Sequence, residues 1–252
     1  MTAGKSVSHT ELVQALSPAR LAPYRRQCTT DQEAVCLYLH NLDLSRELYP
    51  VLNSVEVALR NSIHTAASAH FNSADWFRDP NLLQLEWRQQ KMVDSAQDSF
   101  WHDQNQPVAQ IRRGQVPPPP LTAVDDMVAS LTFGFWTALL SGPYELRLWD
   151  AARNSTNPNL IHAVFPHARR SDRVRATIFP LVDRLRKLRN RVSHNEPILW
   201  WQPDLQADYQ AACKVLDWIS PALSQLVQHV DGFDAAYTAG HMHYMARVVL
   251  TT

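Results

Sequence analysis

The chain has 252 residues, 24 basic and 24 acidic side chains, and a hydrophobic fraction of 45 %. This composition is that of a globular protein with a sizeable core, and it excludes an intrinsically disordered chain. Only 6 of the 252 residues are glycine, whereas glycine usually makes up ~7 % of a chain. This scarcity disfavours turn-rich β-sandwiches and nucleotide folds built on glycine loops.

Hydrophobic periodicity predicts helices along most of the chain. Residues 1–29 are predicted to form an N-terminal arm. Thr30 and Glu33 then have the spacing of a capping box, which predicts the start of a helix. Pro50 predicts a break or kink in that helix. A second helix is predicted over 51–71, where apolar residues recur at intervals of three and four.

The middle of the chain is predicted to contain helices separated by a proline-rich loop. A helix is expected over 81–104. Residues 106–120 end in four consecutive prolines and are predicted to form a non-helical surface loop in polyproline conformation. Thr122 or Asp125 is predicted to cap the helix that follows, which carries several aromatic residues.

The C-terminal half is predicted to consist of three helices. A basic helix is expected over 171–196, with a kink at Pro180 and an end before Pro197. A last long helix is predicted over 204–229, and 237–250 is weakly helical. Together these elements predict an all-α, single-domain helical bundle with extra helices and a proline-rich surface loop.

Three features favour a cytoplasmic protein that does not enter a membrane. The longest uncharged apolar stretch, 127–140, is too short and too polar to span a bilayer. The first fourteen residues, MTAGKSVSHTELVQ, have no apolar signal core. The three cysteines, Cys28, Cys36 and Cys213, are few and odd in number, which predicts reduced thiols.

The zero net charge conceals one strongly basic segment. Arginine outnumbers lysine by 20 to 4, and residues 169–191 contain nine basic side chains against two acidic ones. Phosphate is a natural counterpart for such a segment, although a solvated helix face paired with acids explains it equally well. The RNA-binding candidates are Arg169, Arg170, Arg173, Arg184, Arg186, Lys187 and Arg191.

Arg189, Asn190 and His194 form the pattern best suited to chemistry. A histidine can move protons near neutral pH, and an arginine supplies a permanent positive charge for a phosphate. Asn190 and His194 lie one helical turn apart. Arg189 and His194 are separated by about 140° at ~100° per residue. The long arginine side chain, a frayed last turn or a second copy of the chain could close that gap. The alternative is a histidine placed there by the helix dipole alone.

A second polar group lies on the predicted helix over 51–71. Glu56, Arg60 and His64 are spaced by four residues, and Asn61 adjoins them. They form either a second half-site or a brace for the first. The other reading is a structural network between helices in which Glu56 and Arg60 pair.

Two weaker candidates involve histidine and tryptophan. His229, His241 and His243 could hold a metal, but without a nearby cysteine or acid this is a weak pattern, and no metal is predicted. Trp200 and Trp201 directly follow the basic helix, where they could stack on an unpaired base.

The pattern of Arg189, Asn190 and His194 resembles the R-x4-6-H motif of the HEPN superfamily of helical ribonucleases. The wider chain is similar to the Abi-like (abortive-infection) branch of that superfamily. The matching stretches occur in the expected order from residue 16 to about residue 220. They are 16–21 with Tyr24, 37–41, 55–61, 75–77, 131–136, Tyr144, 148–149 and 188–198.

The resemblance implies a metal-independent endoribonuclease, without a cofactor, that acts as a toxin or in phage defence. Its 2′-hydroxyl chemistry would use His194 as general base or acid, Arg189 to neutralise the phosphate and Asn190 to position it. The resemblance also implies a homodimer and, in some relatives, an antitoxin protein or structured noncoding RNA as partner. The alternative is a non-catalytic HEPN-like module that binds RNA or a protein.

Overall fold

The computed structural model describes residues 5–149, 160–201 and 204–251. Helices dominate these ranges, which confirms the predicted all-α class. The helices are α1 His9–Leu16, α2 Pro18–Arg25, α3 Asp31–Phe71, α4 Trp87–Asp103, α5 Val108–Arg112, α6 Val124–Ser130, α7 Phe133–Leu139, α8 Leu160–Val164, α9 Arg175–Ser193, α10 Leu205–Ile219, α11 Pro221–Gln228, α12 Phe233–Ala239 and α13 Met242–Met245. A 3₁₀ turn, Gly142–Tyr144, and a π-helical turn, Glu145–Trp149, follow α7.

Two short strands join the ends of the described chain. β1, Lys5–Ser8, pairs in parallel with β2, Val248–Thr251, so that Lys5 lies opposite Val248. The predicted arm over 1–29 therefore contains a strand and the helices α1 and α2. The C-terminal segment, predicted as weakly helical, instead divides into α12, α13 and β2.

The chain divides into two compact units. The first unit comprises Met1–Asn53, Lys187–Cys213 and Ser224–Thr252, and the second comprises Ser54–Arg186 and Lys214–Leu223. In the first unit, Tyr24, Ala34 and Leu37 form a buried cluster, against which Leu199 packs. The second unit has a core rich in aromatic residues, which includes Trp76, Phe77, Phe133, Trp136 and Tyr144.

The capping box predicted for α3 is present in part, because the Glu33 carboxylate bonds the amide of Thr29 and not that of the cap residue Thr30. The amide of Glu33 donates to the hydroxyl of Thr30 at 3.1 Å, while the Glu33 carboxylate accepts from the amide of Thr29 at 3.3 Å. Of the break or kink predicted at Pro50, the break is wrong, because Pro50 lies inside the continuous 41-residue helix α3. Pro50 removes one helical hydrogen bond, but Leu48 and Val51 beside it are buried, and their packing holds the helix together.

Two other helix boundaries differ because an extended residue or a proline intervenes. The helix predicted after Thr122 or Asp125 is divided into α6 and α7, since Leu131 and Thr132 have extended backbones. The long helix predicted over 204–229 is divided as well, because Pro221 begins α11. Proline is favoured in this first position, where its missing amide is not needed.

The prediction that 106–120 contains no helix is also wrong. α5 lies inside this segment, and its Val108 and Ile111 pack against Trp101 at the end of α4. The burial of these three side chains stabilises a helix that its short length alone would not. The helix predicted over 81–104 begins only at Trp87. Within the described ranges, none of the helices combines the length and apolar character needed to cross a bilayer.

Candidate active site at the end of a basic helix

The basic helix α9 ends in a Schellman motif just after the predicted catalytic residues. Asn195 has a φ of 53°, in the left-handed region that asparagine tolerates. Its amide donates to the carbonyl of Val192 at 3.1 Å, and the amide of Glu196 donates to the carbonyl of Arg191 at 2.9 Å. These bonds satisfy carbonyls that a helix end leaves open, and Pro197 then prevents the helix from continuing.

His194 lies at the exposed tip of this closed turn. Its amide donates to the carbonyl of Asn190 at 3.0 Å, so its backbone still follows the helix. Because the last turn is closed, fraying does not bring Arg189 towards His194. Arg189 and Asn190 are half-buried, whereas His194 is exposed. The His194 ring makes no hydrogen bond with any residue in the described ranges, which leaves both its nitrogens open to a ligand.

Two side chains from distant parts of the first unit hold the segment that follows His194. The guanidinium of Arg20 in α2 donates to the carbonyl of Asn195 at 2.7 Å. The side chain of Asn41 in α3 donates to the carbonyl of Glu196 at 3.3 Å and accepts from the amide of Ile198 at 2.7 Å. Asn41 is 1 % exposed, so these bonds satisfy a buried amide. Together they fix the path of the chain on the C-terminal side of the histidine.

Neither Arg20 nor Asn41 is recognisable from the sequence as a residue that supports the site. Both belong to stretches that carry the family resemblance, 16–21 and 37–41, but neither has a local partner that would explain it. A polar amide on the apolar face of α3 is the one signal that could have identified Asn41. Its partners lie 155 and 157 residues away in the sequence, so local patterns do not reveal them.

The two tryptophans that follow the motif have separate environments. Trp201 donates through its indole nitrogen to the carboxylate of Asp208, and the guanidinium of Arg191 lies 5.4 Å from its ring centre. Arg191 also pairs with Glu196 at 2.8 Å. Trp200 is 36 % exposed and lies against the ring of Tyr24, with the ring centres 5.6 Å apart. Of the two, Trp200 is the more exposed, since Trp201 is half-buried.

The predicted RNA-binding cations differ in accessibility. Arg169, Arg170 and Lys187 are exposed, while Arg173, Arg184, Arg186 and Arg191 are half-buried. Arg173 donates to the backbone carbonyl of Pro166 at 3.0 Å, and Arg186 pairs with Asp183 at 2.7 Å. These contacts are internal to the second unit and compete with any phosphate for the same donors. Arg169 and Arg170, which are exposed, are therefore the stronger candidates for contact with a polyanion.

The second polar group, on α3, is bound up in contacts within the second unit. The Glu56 carboxylate is buried and accepts from the amide of Phe133 at 3.0 Å, at the start of α7. Arg60 donates to the carbonyl of Ala129 at 3.2 Å and to the side chain of Asn61 at 3.3 Å. A helix-end carbonyl and the side-chain oxygen of Asn61 therefore both accept from the Arg60 guanidinium.

His64 completes this structural group. Its Nδ1 atom accepts from the indole of Trp76 at 3.3 Å, and burial lowers its pKa. A neutral ring is required for this bond, since protonated Nδ1 cannot accept. These contacts favour the structural reading of Glu56, Arg60, Asn61 and His64.

The histidines considered as metal ligands make other contacts. His229 lies 3.0 Å from the carbonyl of Gln225 through Nδ1, and His241 lies 3.7 Å from Glu33. No group of three or more potential ligands occurs in the part of the chain that the structure describes.

The structure is therefore that of a helical protein in which an arginine, an asparagine and an exposed histidine lie at the end of α9. The family described as Abi-like protein matches residues 13–200 of this chain. The match covers most of the chain and includes Arg20, Asn41 and the whole of α9. The chain therefore belongs to the Abi-like family. No curated protein and no solved structure matches it significantly.

Proposed function

We propose that this protein is a metal-independent endoribonuclease that acts in abortive infection or as a toxin. The exposed His194 ring carries the proposal, because it is held on a closed helix end one turn after Asn190 and five residues after Arg189. Membership of the Abi-like family supports the connection to abortive infection.

The proposed reaction is attack of a ribose 2′-hydroxyl on the adjacent phosphorus. The bond from O2′ to phosphorus forms, and the bond from phosphorus to the next O5′ breaks, which leaves a 2′,3′-cyclic phosphate and a 5′-hydroxyl. A base must take the proton from O2′, and an acid must give one to O5′. His194 performs one of these transfers, since an imidazole serves either role near neutral pH.

Arg189 and Asn190 act on the phosphate in this proposal. Negative charge grows on the non-bridging oxygens as phosphorus becomes five-coordinate, and a guanidinium stabilises it without losing a proton. Asn190 lies on the same face as His194 and can donate its amide hydrogens to one of those oxygens. The exposed cations Arg169, Arg170 and Lys187 add sequence-independent attraction for RNA.

One copy of the motif supplies one imidazole, while the reaction needs a base and an acid. A second copy of the chain, related by two-fold symmetry, supplies the missing histidine and closes the gap around α9 between Arg189 and His194. We therefore propose a homodimer in the cytoplasm, restrained by an antitoxin protein or a structured noncoding RNA. Light scattering should give twice the mass of one chain, and a fully active monomer would contradict the composite site.

Cleavage of bulk RNA in the presence of EDTA tests the activity. Wild type should cut, and His194→Ala should not. His162→Ala is the matched control, because His162 is also an exposed histidine but lies on α8. Circular dichroism establishes that each variant is folded. If folded His194→Ala cuts like wild type, the assignment of His194 to catalysis is wrong. If wild type binds RNA without cutting it, the non-catalytic module is the better description.

A further inference from the structure

Trp87, the first residue of α4, is unusually exposed for its type. It is 71 % exposed, whereas most large aromatic side chains of the second unit are buried. Tryptophan is buried on average in folded proteins, and an accessible one contributes little to stability. The exposed Trp87 ring is therefore available to contact a ligand in solution.

Two cavities adjoin Trp87, and all the residues that line them belong to the second unit. The first has a volume of about 580 Å³, and its lining includes Phe179, Thr137 and Gln89. The second has a volume of about 560 Å³ and includes Ser130 and Thr132. Trp87, Arg88 and Met92 line both. Each cavity has room for a group the size of a nucleoside, with the indole ring between them.

The first cavity contains polar groups that have spare hydrogen-bonding capacity. Thr137 is 1 % exposed, and its hydroxyl has no partner in the described part of the chain. Buried hydroxyls without a partner are uncommon and costly. Gln89 is also buried, and its side-chain oxygen accepts from Tyr144 at 3.3 Å. Its amide nitrogen can then donate to a ligand in the cavity.

The charges around the two cavities favour an anion. The acids Glu86 and Asp183 are each paired with an arginine, at 2.6 Å and 2.7 Å. Arg88 and Lys91 are exposed and have no carboxylate partner among the described residues. The Lys91 ammonium lies 5.4 Å from the centre of the Trp87 ring, which leaves the opposite ring face for a ligand. An aromatic face and two uncompensated cations suit a flat ring that carries a phosphate.

We propose that Trp87 stacks on an unpaired base of single-stranded RNA. The neighbouring nucleotides occupy the two cavities, and Arg88 and Lys91 contact their phosphates. This binding site lies outside the motif on α9 and increases the time that RNA spends on the protein. The choice of RNA rests on the proposed function, but the site itself is measured by binding and needs no cleavage.

Fluorescence anisotropy of labelled single strands of about 12 nucleotides tests the site. His194→Ala serves as the background, so that the RNA stays intact. Trp87→Ala should weaken binding by about fivefold or more, and Trp87→Phe should retain most of the affinity, because stacking on an aromatic side chain tolerates the change. Leu146→Ala is the matched control, since Leu146 is 76 % exposed in the same unit and lines neither cavity.

The salt dependence separates the phosphate contact from stacking. The logarithm of the affinity falls as the logarithm of the salt concentration rises, and loss of one phosphate contact makes this slope shallower by about 0.7 for a single strand. Lys91→Gln should show this shallower slope, while Trp87→Phe should leave the slope unchanged. Single-stranded DNA with the same dependence on Trp87 supports the stacking site and extends its ligand to unpaired nucleic acid in general.

Three results would overturn the inference. They are unchanged affinity of Trp87→Ala for single-stranded RNA, failure of the background protein to bind RNA, and equal affinity for a duplex. The cleavage assay gives an independent answer on the proposed function. If RNA binding depends on Trp87 but wild type does not cleave, only the proposed nuclease activity is contradicted. If wild type cleaves but binding does not depend on Trp87, only the proposed Trp87 site is contradicted.

Discussion

Two helices of this protein present an arginine followed by a histidine, and the two pairs have different environments. Arg60 and His64 on α3 are occupied by contacts in the second unit, with the Ala129 carbonyl and the Trp76 indole. His194 at the end of α9, in the first unit, is exposed, and its ring makes no hydrogen bond with a described residue. Residue type and helical spacing are similar, so the difference lies in the tertiary partners.

The comparison shows that a candidate site is identified by the hydrogen-bonding capacity that folding leaves unused. The Nδ1 atom of His64 already accepts a hydrogen bond from the Trp76 indole, and the ring must stay neutral to keep that bond. Neither ring nitrogen of His194 makes a hydrogen bond with a described residue. The backbone around this histidine is held in place by the Schellman motif, Arg20 and Asn41.

The largest expected effect is on catalysis by the two histidines. His194→Ala should lower the cleavage rate by about 100-fold or more, the usual contribution of a general acid or base. His64→Ala should leave the rate per folded molecule unchanged while lowering the melting temperature. Initial rates on RNA, normalised to the folded fraction, provide the measurement. Equal rate losses in the two variants would remove the distinction between the sites.

The two arginines should differ in their effect on cleavage. Arg189→Ala should lower the cleavage rate by about 100-fold, because one donor to a developing oxyanion typically contributes that much. Arg60→Ala removes the donor to a helix-end carbonyl and should act on stability alone. Arg189→Lys tests geometry, since lysine keeps the charge but loses the planar fork. A cleavage rate unaffected by Arg189→Ala would contradict its role at the phosphate.

Asn41 tests whether the position of His194 matters. Asn41→Ala removes both bonds to the segment after α9 and leaves buried backbone groups unsatisfied, which should cost about 1–3 kcal/mol of stability. The folded fraction should also cleave more slowly. Asn53→Ala is the matched control, because Asn53 is exposed on the same helix and should change stability by less than about 0.5 kcal/mol. Urea denaturation supplies the free energies, and similar values for both variants would contradict the clamp.

The smallest effect is on the pH dependence of stability. Burial lowers the pKa of His64, and of His40 in the first unit, below their usual value of 6.5. The unfolded chain therefore binds more protons than the folded one as pH falls below that value. The stability that these residues contribute is complete above about pH 6.5 and is lost as pH falls through their folded pKa values.

The free energy of unfolding should accordingly be lower at about pH 5 than at about pH 7.5. His64→Gln keeps an acceptor for the Trp76 indole but cannot titrate, so its stability should fall less over this range. Identical slopes for wild type and His64→Gln would contradict the assignment of His64 as a buried neutral ring.

The sequence predicted those features that depend on neighbouring residues. Thr30 and Glu33 cap α3 through contacts three and four residues apart, and Pro197 prevents α9 from continuing beyond its Schellman motif. Both rules act over a few residues, so they can be recognised without a structure. The exposed histidine at the end of the basic helix follows from the same local logic.

Features that depend on distant contacts were missed or predicted wrongly. Pro50 was expected to break α3, yet the burial of Leu48 and Val51 stabilises the continuous helix. The roles of Arg20 and Asn41 depend on carbonyls more than 150 residues away. Arg60 has a carbonyl partner on α6 that no spacing rule indicates. In each case the tertiary partner, rather than the local pattern, determines the outcome.

The chemistry of the RNA ends tests the central claim most directly. Wild-type protein in EDTA should produce fragments with a 2′,3′-cyclic phosphate and a 5′-hydroxyl, seen by mass spectrometry, and a 2′-deoxy substitution at the cleaved nucleotide should prevent the cut. His194→Ala should yield no such fragments. Fragments that end in a 3′-hydroxyl and a 5′-phosphate, or cyclic phosphates produced equally by His194→Ala, would contradict the account.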